Sequence, residues 1–309
     1  MLSQSQPYYS INDYLRGKFG CKVIKLSLDA GFTCPNRDGS KSVGGCIFCS
    51  ASGSGDMASD IPGQIKLLSK KWNAQKYIAY FQSHTNTYAP VGELRQKFDA
   101  ALKHPDVAGI AVATRPDCLG EDVLSLLDEL NTKTFLWVEL GLQTIHDETA
   151  GILNRCYSFS DFDAAVLNLS THHIKTVVHL IFGLPGETKK QMLDSVKRVC
   201  SYDPFGIKIH LLNVVAGSAM ETLYPGYVPF TDLDEYVSLV CDALEIIPPR
   251  ITIHRLTADT PRKLLIAPEW SYQKRTILNN VYREMKRRNR VQGCYFSPCP
   301  QSGPSLPSL

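Results

Sequence analysis

The sequence predicts an α/β fold with a parallel sheet, and three observations support that prediction. Six apolar runs have the length of buried strands and lack regular polar alternation, which is typical of parallel strands covered on both faces. Segments with apolar residues at helical spacing separate the runs, and repeated strand–helix units build parallel sheets. A loop with three cysteines directly follows the first run. Both an open doubly wound sheet and a barrel satisfy this pattern, but no G-x-G-x-x-G follows the first strand, which disfavours a dinucleotide-binding fold.

The strands are predicted from apolar stretches bounded by polar residues. They cover residues 21–28, 76–83, 109–115, 134–143, 175–184 and 206–215. A seventh candidate strand, residues 250–257, follows the pair Pro248–Pro249. Because two prolines end a helical pattern, this last strand starts a new unit.

Helices are predicted between the strands from apolar residues that recur three and four positions apart. They cover residues 91–104, 121–132, 158–171, 188–201 and 232–247. Ser160 and Thr188 are the expected N-cap residues, because a hydroxyl there accepts a hydrogen bond from the first helical turn.

Composition and charge limit the class of protein. The chain has 309 residues, 44% of them hydrophobic and 20% charged, and a net charge of +3, which is ordinary for a globular protein and only mildly favours an anionic partner. No run of 18 apolar residues predicts a membrane span. The first twenty residues do not resemble a secretory signal, so we expect a cytoplasmic protein whose ten cysteines form no disulfide framework.

Cys34, Cys46 and Cys49 lie in a loop that has few apolar side chains to bury them. Thiolates select soft metals, so the loop predicts either zinc or an iron–sulfur cluster. A structural zinc site needs four protein ligands, and the fourth would come from Cys21 or His84. A cube held by three cysteines leaves one iron without a protein ligand, and that open position indicates chemistry.

Eight short sequence words carry a resemblance to a known family. They extend over roughly residues 10–295 and are KLSLDAGFTCPNRDGSKSVGGCIFC, AYFQSHTNTYAP, ATRPDCL, VELGLQTIHDETAGILNR, HLIFGLPGET, GIKIHLL, IHRLTAD and LLIAPEW. In these words, their order and their spacing the chain resembles the radical S-adenosylmethionine (radical SAM) superfamily, and within it the YtqA/YhcC family, which is related to the elongator-type proteins.

The resemblance implies a fold and two cofactors. The fold would be a partial (β/α)6 TIM-like barrel at residues 18–220, with an N-terminal segment at 1–17 and a C-terminal α/β extension at 221–295. Residues 296–309 are rich in proline and serine, and that composition by itself predicts a disordered tail. The three cysteines would hold a [4Fe–4S] cluster whose open iron binds the methionine part of S-adenosylmethionine. One electron, from a reductant such as flavodoxin or ferredoxin, would then release a 5′-deoxyadenosyl radical.

The resemblance also implies residues that contact S-adenosylmethionine. Asn86 and Thr87 would meet the methionine amino group. Arg115 suits a carboxylate, although Asp117 is an alternative, structural partner for it. Glu139 would meet the ribose hydroxyl groups, with an internal salt bridge as the alternative reading, and Gln143 shares its face of the strand.

The adenine contacts would come from the ends of the last two strands. Gly183 and Gly186 would let the main chain approach the base closely, and Leu212 would lie against it. His179 and His210 stand inside predicted strands and are each expected to be core histidines.

The sequence departs from the family pattern at Cys156–Tyr157, at Asn213 and at Ala216. These differences spare the cysteine loop and fall where a substrate is expected. The resemblance therefore predicts cleavage of the cofactor, while the substrate need not be that of the relatives.

The family resemblance suggests a tRNA substrate, at the C5 side chain of the wobble uridine, along the route from carboxymethylaminomethyl to aminomethyl or methylaminomethyl. A basic run at residues 282–293 would follow phosphates, and its candidates are Lys286, Arg287 and Arg288. His254 and Arg255 are candidate substrate contacts. The alternatives are a radical SAM enzyme that acts on a small metabolite and a non-catalytic iron–sulfur or zinc-binding module.

Overall fold

The structure is a computed structural model that describes residues 6–53 and 55–296. The predicted disordered tail therefore lies outside the described residues, apart from Phe296. No helix in the described part of the chain is long and apolar enough to cross a membrane.

Seven parallel strands form one curled sheet, a half-barrel. They are β1 (Val23–Leu28), β2 (Lys76–Phe81), β3 (Val107–Thr114), β4 (Phe135–Gln143), β5 (Lys175–Phe182), β6 (Gly206–Leu211) and β8 (Thr252–Arg255). Each strand pairs with the strands that precede and follow it in this order, so the sheet grows in one direction from β1 to β8. The predicted α/β partial barrel is confirmed, and the seventh candidate strand adds to its edge.

Helices connect the strands. They are α1 (Ile11–Phe19), α2 (Ile61–Ser69), α3 (Val91–Leu102), α4 (Glu121–Lys133), α5 (Asp147–Ile152), α6 (Phe159–Thr171), α7 (Lys189–Cys200), α8 (Ala219–Leu223), α9 (Leu233–Ile246) and α10 (Lys274–Arg287). The apolar faces of α2, α3, α4, α6, α7, α9 and α10 belong to one continuous core with side chains of the strands, whereas α1 and α8 pack in two separate clusters. The five predicted helices are all present, each within two residues of the expected ends.

The sixth predicted strand is shorter than the sequence indicated. Its apolar run continues to residue 215, but β6 ends at Leu211. Val214–Val215 form a separate strand, β7, which pairs antiparallel with β9 (Leu265–Ala267). The run breaks because its last residues find their main-chain partners in the segment after β8, a pairing that local periodicity cannot reveal.

Helix α1 covers the amino ends of the strands. Ile11 and Leu15 pack with Val23 and Trp137 inside the barrel. Tyr14 meets the ring of Phe205 with the ring centroids 4.8 Å apart. Since apolar side chains fill this end, the interior is open to ligands only toward the carboxyl ends of the strands.

The N-cap of α6 is Ser158 rather than the predicted Ser160. The Ser158 side chain accepts a hydrogen bond from the Asp161 main chain, and the Asp161 carboxylate accepts one from the Ser158 main chain. This reciprocal capping box needs an acidic or amide residue three positions after the cap. Asp163 stands three positions after Ser160, but its carboxylate accepts from Arg198 (3.2 Å) and from the Tyr202 hydroxyl group instead. The N-cap of α7 is Thr188, as predicted.

We expect Ser158→Ala to lower the free energy of unfolding by about 1 kcal/mol, because one main-chain donor of α6 loses its partner. Urea unfolding of the two proteins measures the change. Ser160→Ala is the matched control and should change stability by a few tenths of a kcal/mol at most. An equal loss in both variants would contradict the assignment of the cap.

Candidate active site at the carboxyl edge of the barrel

A cavity of about 170 Å³ lies at the carboxyl ends of the strands, and the predicted site residues that line it are the three cysteines, Arg115, Glu139, Gln143 and Arg255. We call it the central cavity. Its lining comprises Cys34, Arg37, Gly45, Cys46, Phe48, Cys49, Gly53, Tyr80, Gln82, His84, Thr85, Ala113, Thr114, Arg115, Glu139, Gly141, Gln143, Tyr157, His179, Lys208, His210 and Arg255. The cysteine loop follows β1 and so reaches the same edge of the sheet as the other strand ends, which is where parallel barrels place their chemistry.

The three cysteines face this cavity from a loop that is fixed at several points. Gly44 and Gly45 adopt φ values of 80° and 85°, a conformation that glycine adopts without strain. The Asn36 side chain donates to the carbonyls of Asn154 (2.6 Å) and Arg155 (3.2 Å). These contacts hold the loop against the segment after α5 and keep its thiols in place.

Positive groups flank the thiols. Nη1 of Arg115 lies 4.0 Å from Sγ of Cys34. The hydrogen bond between Cys46 and Cys49 lowers the pKa of the Cys49 thiol and, together with burial, raises the pKa of the Cys46 thiol well above its usual value. The charge of Arg37 adds to the downward shift at Cys49, so Cys49 ionises before Cys46. Thiolates are the metal-binding form of cysteine, and positive groups beside the loop favour that form.

The donor set fits an iron–sulfur cluster better than a single zinc ion. Within the described residues, no group of three or more His, Cys, Asp or Glu side chains is placed to hold one metal ion. Cys21 precedes β1 and packs among apolar residues at the amino end of the barrel, away from the loop. His84, the other candidate for a fourth zinc ligand, lines the same cavity but completes no such group among the described residues. Three thiols on one cavity wall match the ligand set of a cluster that keeps one iron open.

Arg115 is oriented by a carboxylate and an aromatic ring. Its Nε and Nη2 donate to Asp117 at 2.9 and 2.8 Å, and Lys41 reaches the same carboxylate at 2.7 Å. The guanidinium lies 4.8 Å from the centre of the Tyr157 ring. The predicted Arg115–Asp117 pair is present, and Arg115 still lines the cavity, so it is fixed in place while it faces a ligand.

Glu139 is fully buried and stands at the centre of a hydrogen-bonded network. Its carboxylate accepts from Trp137 Nε1 (2.9 Å), His179 Nε2 (2.8 Å) and Lys208 Nζ, and Lys25 Nζ lies 3.7 Å away. Burial raises the pKa of this carboxyl group, but the two lysines outweigh it and hold the pKa well below its usual range. Glu139 therefore forms an internal salt bridge, the alternative role expected for it, and its side chain also lines the cavity.

Gln143 and Tyr157 form a wall of the cavity. Gln143 has a φ of 65°, which turns the end of β4 into the site. Tyr157 donates to its side-chain oxygen at 3.0 Å. One of the departures from the family pattern thus lines the cavity, whereas Cys156 is exposed and lies outside it.

Several predicted cofactor residues do not line the central cavity. Asn86 is buried and donates to the Ala113 carbonyl at 2.9 Å. Thr87 donates to the Cys118 carbonyl at 2.6 Å. Their neighbours His84 and Thr85 line the cavity in their place, because the polar loop after β2 turns inward earlier than the sequence indicated.

The predicted adenine contacts are divided between two other places. Gly183 lies against Pro229 and Phe230, and Gly186 has open space around it. Leu212 lines a second cavity, of about 190 Å³, which we call the adjoining cavity; it shares Gln143, His179, His210 and Arg255 with the central one. Asn213, another departure from the family pattern, lines the adjoining cavity, whereas Ala216 lies outside both.

The side chains of His254 and Arg255 lie in different places in the structure. His254 packs on Trp137 and Phe205, with ring centroids 5.9 and 5.6 Å apart, below the central cavity. Arg255 lines both cavities and pairs with Asp259 at 3.2 Å. A register shift in the pairing of β6 with β8 brings Arg255 opposite Lys208 and so points it inward.

The predicted phosphate contacts lie at the other edge of the sheet. Helix α10 starts beside the carboxyl end of β8, where Lys274 pairs with Asp259. It runs away from the site, since Gln292 donates to the carbonyls of Pro248 and Ile251, just before β8. Lys286, Arg287 and Arg288 are therefore near the amino ends of the strands, and Arg288 is bound by Asp242, Glu245 and Glu284.

Sequence reasoning missed Tyr80, Lys208 and Lys25 and read His179 and His210 as core residues. Lys208 and His210 alternate in the apolar strand β6, so both point into the barrel. A charged residue in an otherwise apolar strand was the available signal, since an isolated buried charge is costly and implies a partner.

Comparisons with known proteins agree with the fold. Residues 34–199 match the model of the radical SAM superfamily, and residues 204–287 match that of the Radical SAM C-terminal domain. The protein YtqA of Bacillus subtilis is 47% identical over 298 residues, which are 94% of this chain and 92% of that protein. The protein YhcC of Escherichia coli K12 is 35% identical over 285 residues, 90% of this chain and 92% of that protein.

Two more distant similarities cover parts of larger proteins. The tRNA uridine(34) acetyltransferase of Methanocaldococcus jannaschii is 26% identical over 200 residues, 63% of this chain but 36% of that protein. The structure of Elp3 from Methanocaldococcus infernus superposes with a TM-score of 0.66 at 18% identity, over 87% of this chain and 64% of that chain. The chain thus belongs to the radical SAM superfamily, in the family of YtqA and YhcC, and its cofactors are a [4Fe–4S] cluster and S-adenosylmethionine.

Proposed function

We propose that this radical SAM enzyme modifies tRNA at the C5 side chain of the wobble uridine. The proposed substrate is supported by the similarity, over 63% of the chain, to a protein named tRNA uridine(34) acetyltransferase. The proposed chemistry is supported by the three cysteines on the wall of the central cavity. The side chain to be processed would be carboxymethylaminomethyl or its products.

The residues of the cavity have separate parts in this chemistry. Cys34, Cys46 and Cys49 would hold the cluster, which with S-adenosylmethionine supplies a 5′-deoxyadenosyl radical when both are bound. Arg115, fixed by Asp117, suits the methionine carboxylate. We propose that Gln143, which faces both cavities, contacts the cofactor on the side from which the substrate enters.

Walls of protein would keep water from the reacting groups. The side of the cavity away from the cysteine loop is closed by four side chains, Tyr80, Glu139, His179 and Lys208. Hydrogen bonds join these side chains to one another, so their polar atoms do not need water as a partner. A reactive radical needs such a closed site, because it would otherwise be quenched by side reactions.

A second basic surface lies next to the site and suits RNA better than the end of α10. Residues 258–275 follow β8, and Asp259 and Thr260 of this segment line the adjoining cavity. Arg262, Lys263 and Arg275 are exposed there. Arg262 lies 4.4 Å from the ring centre of the exposed Tyr272. Basic and aromatic side chains together are typical of surfaces that bind single-stranded RNA loops.

We expect Cys34→Ala, Cys46→Ala and Cys49→Ala each to lose the cluster and the ability to cleave S-adenosylmethionine. Iron and sulfide content after anaerobic reconstitution and the yield of 5′-deoxyadenosine measure the two effects. Cys156→Ala is the matched control, since this exposed thiol lies outside the central cavity, and it should keep both. A wild-type protein that binds iron and sulfide but forms no 5′-deoxyadenosine would support the non-catalytic module.

We expect deletion of the gene to change the nucleoside at the wobble position of the tRNA species that carry the C5 side chain. Mass spectrometry of digested tRNA should find carboxymethylaminomethyluridine accumulating and the aminomethyl and methylaminomethyl forms lost. Complementation with the wild type should restore them, and complementation with Cys46→Ala should not. An unchanged nucleoside profile in the deletion strain would refute the tRNA substrate and leave the small-metabolite alternative.

We expect the double change Arg262→Glu with Lys263→Glu to weaken tRNA binding about tenfold or more at low salt and to flatten its dependence on salt, because phosphate contacts are lost. Filter binding at several salt concentrations measures both. The matched control, Arg283→Glu with Lys286→Glu on α10, carries the same charge change at the opposite edge and should bind nearly as the wild type. The reverse result would return the RNA surface to the end of α10.

A further inference from the structure

The lining of the central cavity carries more positive than negative charge. Its charged residues, other than the three cysteines and the histidines, are Arg37, Arg115, Lys208, Arg255 and Glu139. Arg37 and Arg115 flank the cysteines and so face the negative charge of the thiolates. The excess of positive charge on the side away from the cysteines, at Lys208 and Arg255, is not explained by the cluster.

On the side of the cavity away from the cysteines, two lysine ammonium groups share a single carboxylate. Glu139 is shared by Lys208, which is buried, and by Lys25, which lies 3.7 Å away and is partly open to solvent. Arg255 reaches only Asp259 among the described carboxylates, and the side chain of Asp259 is 55% exposed. Burial lowers the pKa of Lys25, and the attraction of Glu139 only partly offsets this, as is usual where negative charge is short.

A ring nitrogen without a protein partner lies beside these cations. Nε2 of His210 is buried and has no hydrogen-bond partner within the described residues. Burial and the positive charge of Arg255 lower the pKa of this imidazole well below its usual value. A neutral imidazole carries one N–H, and in the Nε2–H tautomer a carboxylate at this position would accept it. An unpartnered buried polar atom that lines a cavity is a position where a ligand is expected to bond.

We propose that His210 and Arg255, which line both cavities, form an anion site that binds a carboxylate of the substrate. An anionic group there would neutralise the surplus charge around Glu139, would give His210 its missing partner, and could accept both N–H groups of one guanidinium edge. The site rests on the proposed function for the identity of that group: the carboxymethyl end of the uridine side chain carries such a carboxylate. The methionine carboxylate of S-adenosylmethionine has the same chemistry and is the other source that a test must separate.

Two anticodon stem-loop RNAs that differ only at the wobble base test the assignment. One carries carboxymethylaminomethyluridine and the other aminomethyluridine. Fluorescence anisotropy on the reconstituted enzyme with S-adenosylmethionine should give tighter binding of the carboxylate form. Arg255→Gln should weaken binding of that form by about 10- to 100-fold, the cost of a lost charged hydrogen bond, and leave the aminomethyl form unchanged. Lys25→Met removes a positive charge that acts on Arg255 but does not line either cavity, so it should weaken binding of the carboxylate form by a smaller factor and also leave the aminomethyl form unchanged.

Matched controls lie at the amino ends of the same two strands. Arg250→Gln removes a guanidinium that pairs with Asp203 on the surface, and Lys22→Met removes an ammonium that lies over Trp72. Both should keep the wild-type preference between the two RNAs. Equilibrium dialysis of S-adenosylmethionine should give equal affinities for the wild type and all four variants. A loss of S-adenosylmethionine affinity in Arg255→Gln or Lys25→Met would assign the site to the cofactor and overturn the proposal.

A small anion separates failure of this site from failure of the proposed function. The indole N–H of Trp137 donates to Glu139, so its NMR signal in protein labelled with nitrogen-15 at tryptophan reports on the network. Titration with acetate should shift that signal in the wild type and not in Arg255→Gln. If neither RNA binds but acetate shifts the signal, the anion site stands and the tRNA substrate falls. If acetate gives no shift, or both RNAs bind equally, the anion site is refuted.

Discussion

The buried carboxylate of Glu139 connects more of the barrel than any other side chain described above. It stands on β4 and reaches Lys25 on β1, His179 on β5 and Lys208 on β6. Removing one partner of a buried ion pair costs about 3–5 kcal/mol, because the other charge is left uncompensated. Burying charged groups inside a barrel carries a large desolvation cost, and hydrophobic side chains of equal volume would stabilise the fold as well or better. Its presence just below the cysteine loop is therefore best explained by what binds there.

The direction of the strands explains why the other functional groups meet above that network. Every strand of the sheet is parallel, so the segments that follow them reach a common edge. The cysteine loop after β1, Arg115 after β3 and Gln143 at the end of β4 consequently line one cavity, although they are distant in sequence. Helix α1 and a group of aromatic rings fill the opposite end, which leaves one side for the cofactor and the substrate.

The C-terminal part of the chain completes this site. Its strand β8 adds to the sheet and carries Arg255 into both cavities. The segment after it pairs with β7 and brings Asp259, Thr260 and an exposed basic and aromatic surface to the cavity edge. Chemistry at the cysteines and selection of a substrate would thus come from different parts of one continuous barrel. The surface beside the site and the charge inside it are both positive, as an RNA with an anionic side chain would require.

The sequence by itself determined the seven strands of the sheet, five of the helices and the three thiols, because these depend on local periodicity and on the spacing of residues within one loop. It predicted no helix between β1 and β2, where α2 lies, and it did not separate β7 from β6. It also indicated Arg115, Glu139 and Gln143, which stand at or near strand ends where a polar residue interrupts an apolar run. The tertiary structure alone decided which of the remaining polar residues face the cavity. Asn86 and Thr87 turn away to satisfy main-chain carbonyls, while Lys208 and His210 line the cavity. It also decided that Lys286–Arg288 lie at the far edge, since the course of a helix depends on its packing and not on its own charges. Such choices depend on contacts between residues far apart in the chain, and no local pattern records them.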